Sequence, residues 1–136
     1  MSQSDDATII RGAFAAEAIL NIISATSLIL SPQSMLNLLA INPADAHPTT
    51  LSTLQWFGAI TFGLSVPLLA GLPERKGIVE FRRATYLTLG ACEAFMVPVF
   101  LWQASKSSGV GLTSTSLTVG ASILGSLAVW RAFVLY

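Results

Sequence analysis

The chain reads as an all-α membrane protein, a four-transmembrane-helix bundle forming a single membrane domain over residues 1–136. Four apolar stretches each approach or exceed the roughly 20 residues needed to cross a bilayer. The composition is 53% hydrophobic and 10% charged, against about 25% charged in a soluble domain. The apolar stretches are interrupted by Gly, Ala, Ser and Thr rather than by Lys and Glu. A soluble bundle needs a polar face on every helix, whereas small residues let helices approach closely in lipid.

The first span covers residues 8–30. An acidic start precedes it at residues 1–6, where a signal peptide carries basic residues, and the apolar run is longer than the ~7–15 residues of a signal core. It is therefore expected to be a retained helix. Ser31-Pro32 ends it and opens a short helix over 32–41, with Pro at the first position. Met35, Leu36, Leu38, Leu39 and Ile41 make that helix apolar, but it is too short to span and is placed in the interface. Asn42-Pro43 ends it, and a polar run at 45–50 leads into the second span, 52–72. Leu72-Pro73 closes that span. The third span, 84–104, and the fourth, 112–133, are joined by a flexible turn at 106–111. Pro67 and Pro98 are expected to kink their helices and open a cavity between them.

Orientation follows from the basic residues. In a four-span chain Arg11, Arg75, Lys76, Arg82, Arg83 and Arg131 share one side, against Lys106 on the other, so both termini are expected to be cytoplasmic. In a eukaryotic cell the expected membrane is the endoplasmic reticulum. Trp56 and Trp102 fall at the outer boundary, and Tyr86, Trp130 and Tyr136 near the inner one, as aromatic belts do. Arg82 and Arg83 are expected to anchor the third helix at the headgroups beside a solvated Glu80, and Arg131 to snorkel to the inner surface.

The chain also suggests an internal repeat. Ala15-Ala16-Glu17-Ala18 in the first span matches Ala91-Cys92-Glu93-Ala94 in the third, while Gly58-Ala59 with Gly63 in the second matches Gly120-Ala121 with Gly125 in the fourth. The spans then form two parallel-repeat helical hairpins, a plan that often places a binding site at the repeat interface. Chance similarity is the rival reading, because Gly and Ala are common in membrane helices.

Glu17 and Glu93 are the residues that lipid should forbid. Each lies about nine residues from the cytoplasmic end, close to mid-bilayer at ~1.5 Å per residue. A carboxylate there costs on the order of 2.5–3.5 kcal/mol, so each is expected to face the bundle interior. Asn21 and Ser24 extend one polar stripe from Glu17, and Tyr86 and Gly90 share the face of Glu93. Gln55, Phe62 and Ser65 form a stripe on the second span, and Thr115, Ser122 and Ser126 one on the fourth.

Two carboxyls meeting in a low-dielectric interior would share a proton, which is acid–base machinery. Glu17 and Glu93 are thus the candidate catalytic pair, with Asn21, Gln55, Phe62, Tyr86 and Ser122 as candidate substrate-binding residues. The expected chemistry is isomerisation, epoxide opening or cyclisation of a lipophilic small molecule. The competing reading makes each glutamate interhelical glue, bonded to Asn21, Gln55 or a neighbouring Ser or Thr. Two non-catalytic functions also stand. One is a membrane partner or assembly subunit docking through Gly58–Gly63 and Gly120–Gly125. The other is a proton-coupled carrier, for which four spans are few unless the chain forms a homo-oligomer.

Several classes are disfavoured. Net charge is zero, with no basic stripe, so no nucleic-acid partner is expected. The lone His47 lies in a loop, which argues against His-ligated haem and two-His iron, and no cofactor or metal is assigned. Cys92 is the only cysteine and cannot form an intramolecular disulfide.

Arg11-Gly12 opening the first helix, Leu54-Gln55-Trp56-Phe57-Gly58 opening the second, and Arg82-Arg83 followed by Tyr86-Leu87-Thr88-Leu89-Gly90 and Glu93 give a layout that resembles small DoxX-like four-span membrane proteins, including fungal ones. The resemblance covers most of the chain without a sharply diagnostic motif. It implies a four-helix membrane fold and, for fungal members, service in specialised-metabolite biosynthesis.

Overall fold

The computed structural model describes residues 3–42, 47–106 and 111–135. Pro43, the start of the polar run at 45–46, most of the turn before the fourth span (107–110) and Tyr136 lie outside the described residues. Five helices are described: α1 (Gln3–Leu30), α2 (Pro32–Leu39), α3 (Pro48–Ala70), α4 (Ile78–Ala104) and α5 (Ser114–Leu135). Four of them, α1, α3, α4 and α5, are long and apolar enough to cross a membrane, as a multi-pass membrane protein requires. Their outer surfaces carry bare apolar side chains such as Ile60, Phe95 and Phe133. Such surface would be an aggregation hazard in water and is ordinary against lipid.

The helix ends follow local chemistry. Ser31 separates α1 from α2, and Pro32 takes the first position of α2, where its missing N–H costs nothing. His47 caps α3: its Nδ1 accepts from the Thr49 N–H at 3.3 Å, and Pro48 occupies the first turn. The cap explains why α3 starts four residues before the expected span. α4 likewise starts before residue 84, just after Gly77, whose φ of +77° breaks the chain at a conformation only glycine takes easily. Thr113 caps α5, accepting from the Ser116 N–H at 3.1 Å.

The chain divides into two compact units, residues 1–35 with 46–82, and residues 36–45 with 83–136. In the first unit α1 packs on α3. Gly58 lets the helices close at one end, since a Cβ there would lie 2.9 Å from Leu28 and Ile29 side-chain carbons and 3.1 Å from the Ala25 carbonyl oxygen. Gln55 Nε2 donates to the Ile29 carbonyl at 3.1 Å nearby. At the other end Gly71 sits against the fully buried ring of Phe14.

Arg82 completes that end of the first unit and departs from expectation. It is buried rather than at the headgroups, and donates to the Gly71 carbonyl at 2.8 Å, the Leu72 carbonyl at 3.4 Å and Glu74 at 2.8 Å. Side chains lean toward the N-terminus of their own helix. On the second turn of α4, that lean aims Arg82 at the carbonyls of the Gly71 cap and of Leu72 just past the end of α3, where carbonyls lack helical partners and favour a cation. Arg83 is exposed.

In the second unit α4 packs antiparallel on α5. Phe100 lies over Gly120, Val97 faces Gly125, and Ser114 Oγ donates to the Ala104 carbonyl at 3.2 Å where the two helices join. The end of α2 belongs to this unit. An isolated antiparallel bridge joins Ala40 to Leu112, through Thr113 N–H to Leu39 O at 2.9 Å and Ile41 N–H to Gly111 O at 3.1 Å. Leu36 is buried while Leu38 is exposed, so α2 is one-sided, and Ile41 just past its end is exposed as well.

The two units pair the spans as the hairpin plan expects, yet their registers differ. Gly58 meets residues eight to twelve positions past Glu17, whereas Gly120 meets Phe100, seven past Glu93. The matched glycines thus contact the matched helices about one turn (~3.6 residues) apart.

Candidate functional site

α4 and α5 place the site. Glu93 lies eleven residues before the end of α4, and Arg131 seventeen residues past the start of α5. For antiparallel helices joined by a turn, that offsets the two backbones by about six residues, roughly 9 Å of rise. Each side chain leans toward its own helix N-terminus, and for antiparallel helices these leans converge. Glu93 and Arg131 form an ion pair between Oε2 and Nη1. Both residues are buried, at 8% and 4% exposure. Arg131 therefore does not snorkel to the inner surface, because reaching it would mean bending against the lean of its own helix.

Tyr86 completes the cluster. It stands two turns before Glu93 on the same face of α4, is 1% exposed, and its ring centroid lies 5.4 Å from the Arg131 guanidinium carbon. At that range the ring face attracts the cation. Tyr86 is thus a core residue and not a member of the inner aromatic belt; Trp56 and Trp102, by contrast, are largely exposed. Gly90 sits between Tyr86 and Glu93 and leaves room beside the Arg131 stem, for a Cβ there would meet nothing closer than 3.8 Å.

A buried ion pair flanked by a phenol can hold a carboxylate ionised in an apolar setting, present a cation to a developing oxyanion, and supply a hydroxyl for proton transfer. Among the described residues no group of three or more His, Cys, Asp or Glu is positioned to hold a metal.

The other expected site residues fall as follows. Glu17 is buried in the first unit, at 9% exposure, with Asn21 half-buried one turn along α1. Gln55 is tied to the Ile29 carbonyl. Phe62 is 47% exposed, on the outer side of α3, and the buried residues of that helix are Gly58, Ser65 and Leu68. Ser122 is exposed and donates to the Thr118 carbonyl of its own helix at 2.9 Å. On α5 the buried face is Leu117, Ala121 and Arg131, so the expected polar stripe of Thr115, Ser122 and Ser126 lies outward. Ser65 and Ser126 also donate to carbonyls four residues back. Helical hydroxyls can satisfy themselves in this way without a partner helix, so their spacing does not mark an inner face.

The candidate-site residue that sequence reasoning missed is Arg131. Its signal was present: an arginine after a long uncharged run, antiparallel to a helix with a buried acid, and leaning toward that acid. The repeat also sets it apart, since the matched glycines align Arg131 with Leu69 and the matched glutamates align Tyr86 with Ile10. Tyr86 and Arg131 thus have no chemical counterpart at the matched positions of the first hairpin. Comparison with protein-family models, with curated proteins and with solved structures returned no match to this chain.

Proposed function

We propose that the chain is a membrane-embedded enzyme that moves protons on a lipophilic small molecule, in an isomerisation or cyclisation, with the Glu93–Arg131–Tyr86 cluster as its working centre. One observation carries this reading: a carboxylate, a guanidinium and a phenol converge inside an apolar helix pair, where an ionisable group without a task is costly. In this reading Glu93 is the base, Arg131 orients it and stabilises oxyanion character on the substrate, and Tyr86 positions Arg131 and returns a proton, the proton on Glu93 then passing by way of solvent to restore the phenol. The termini are cytoplasmic, the bilayer delivers the substrate, and the pathway is one of specialised metabolism. The subunit-docking alternative loses support at Gly58 and Gly120, whose faces are covered by the chain's own Ile29 and Phe100.

The test is proton exchange. Membranes containing the chain are incubated in D2O with lipophilic enolisable ketones, and deuterium uptake is read by mass spectrometry. Chain-dependent uptake is expected, falling about 100-fold or more in Glu93→Gln, the size of a general-base contribution. Uptake equal in wild type, Glu93→Gln and chain-free membranes across the ketones tested would remove the proposal.

A further inference from the structure

We infer that the Glu93–Arg131 pair is a binding site for lipophilic carboxylic acids, which enter uncharged from the bilayer, give their proton to Glu93 and take its place on Arg131. The inference rests on the reading of this cluster as one that exchanges protons with lipophilic molecules, and it names their acidic class.

The physical case begins with charge. A carboxylate crossing into hydrocarbon carries a large desolvation cost, whereas the neutral acid carries little, so what reaches a site between apolar helices is the neutral acid. A neutral acid is a poor ligand for a site already holding one negative and one positive group, unless it exchanges with the negative one. In the exchange the ligand O–H bond breaks, an O–H bond forms on Glu93, and the ligand carboxylate pairs with the Arg131 guanidinium. One ion pair replaces another, and the site's net charge does not change. Arginine suits the exchange because its planar fork accepts one carboxylate as readily as another.

Two features favour approach from the Glu93 side. Its side chain keeps 11% exposure against 5% for that of Arg131, so the acid is the less enclosed partner. Gly90 puts no side chain over the Arg131 stem, where even a Cβ would already be in van der Waals contact at 3.8 Å. Within the second unit Arg131 from α5 pairs with Glu93 and the Tyr86 ring from α4 lies against Arg131, while Arg83, Cys92 and Lys106 are exposed. The exchange uses the ligand as proton donor, Glu93 as acceptor and Arg131 as the fixed cation.

The experiment uses the full chain in nanodiscs with radiolabelled dodecanoic acid, subtracting retention by empty nanodiscs, with dodecanol as the uncharged control. Free carboxylic acids are ionised above about pH 5, so binding must take up one proton, and affinity for total ligand should fall about tenfold per pH unit from about pH 6 to pH 8. Glu93→Gln removes the proton acceptor, so its affinity should be flat across that range. The doubly neutral variant Glu93→Gln with Arg131→Gln holds no buried charge to mispair and should lose acid retention while keeping its helical circular dichroism. A pH-independent wild type, a slope that persists in Glu93→Gln, acid retention by the double variant, or equal retention of dodecanol each overturns the inference. Proton-linked acid binding without deuterium exchange would leave this inference standing and remove the catalytic reading. Exchange without acid binding would do the reverse.

Discussion

Arg131 and Glu93 reach each other from different heights on antiparallel helices, each leaning along its own helix toward the other, and the pair is enclosed to 4% and 8% exposure. Removing one partner takes from the other the counter-charge it is buried against. Glu93→Leu or Arg131→Leu alone should therefore destabilise the fold by about 3–5 kcal/mol. Glu93→Leu combined with Arg131→Met, which removes both charges at similar volume, should fall within about 1 kcal/mol of wild type or above it. Unfolding in mixed micelles, followed by circular dichroism, measures all three. Single variants as stable as wild type would mean that the pair is not enclosed as described.

Gly58 and Gly63 share α3 but differ in surroundings. A methyl at Gly58 would press on Leu28, Ile29 and the Ala25 carbonyl, and backbone cannot move aside as a flexible side-chain end can. Gly58→Ala is expected to cost about 1–3 kcal/mol. A Cβ at Gly63 meets nothing within 4 Å, so Gly63→Ala should be neutral or stabilise by up to about 1 kcal/mol through helix propensity. Equal effects of the two substitutions in a thermal melt would contradict the α1–α3 packing.

Glycine spacing and apolar length made the four spans and their pairing legible from sequence, because both are set by one-dimensional constraints: bilayer thickness and close approach. Polar stripes were less legible. Ser122 and Ser126 share helical spacing with a buried face, but each hydroxyl is satisfied by its own helix, so nothing compels it inward. Residue position alone sends both Arg82 and Arg131 to the headgroups. Their positions near span ends invited that, but a side chain's reach is signed by the direction of its helix. Arg82 leans back onto the α3 terminus and Arg131 back into the bundle, which residue counts alone do not express.

Arg82 and Arg83 are adjacent in sequence and should respond oppositely. Arg82→Gln removes the donors to the Gly71 and Leu72 carbonyls and to Glu74, leaving the end of α3 uncapped in a buried position. The expected loss is about 1–3 kcal/mol. Arg83→Gln touches an exposed position and should stay within about 0.5 kcal/mol. Because Glu74 is half exposed, its share of the Arg82 effect should shrink at high salt, while the carbonyl bonds should not. Melting both variants at low and high salt checks the sign and the split.

The bridge between Ala40 and Leu112 is the most direct test of how α2 is held. Residues opposite each other on antiparallel strands have Cα atoms about 4.5–5.5 Å apart, within the range a disulfide spans. In a Cys92→Ser background, Ala40→Cys with Leu112→Cys should therefore crosslink within one chain under mild oxidation, giving a species of altered gel mobility that reductant reverses. Ile41→Cys with Thr113→Cys serves as the register control: both residues donate backbone bonds across the bridge, but to Gly111 and Leu39 rather than to each other, so crosslinking should be slower. The crosslink should also stabilise the second unit, because it closes a loop of about 70 residues that contains all of α3 and α4, and loop closure on that scale is worth up to about 4 kcal/mol. If both pairs crosslink at one rate, the segment samples many registers, and α2 is tethered to the start of α5 only by chain connectivity.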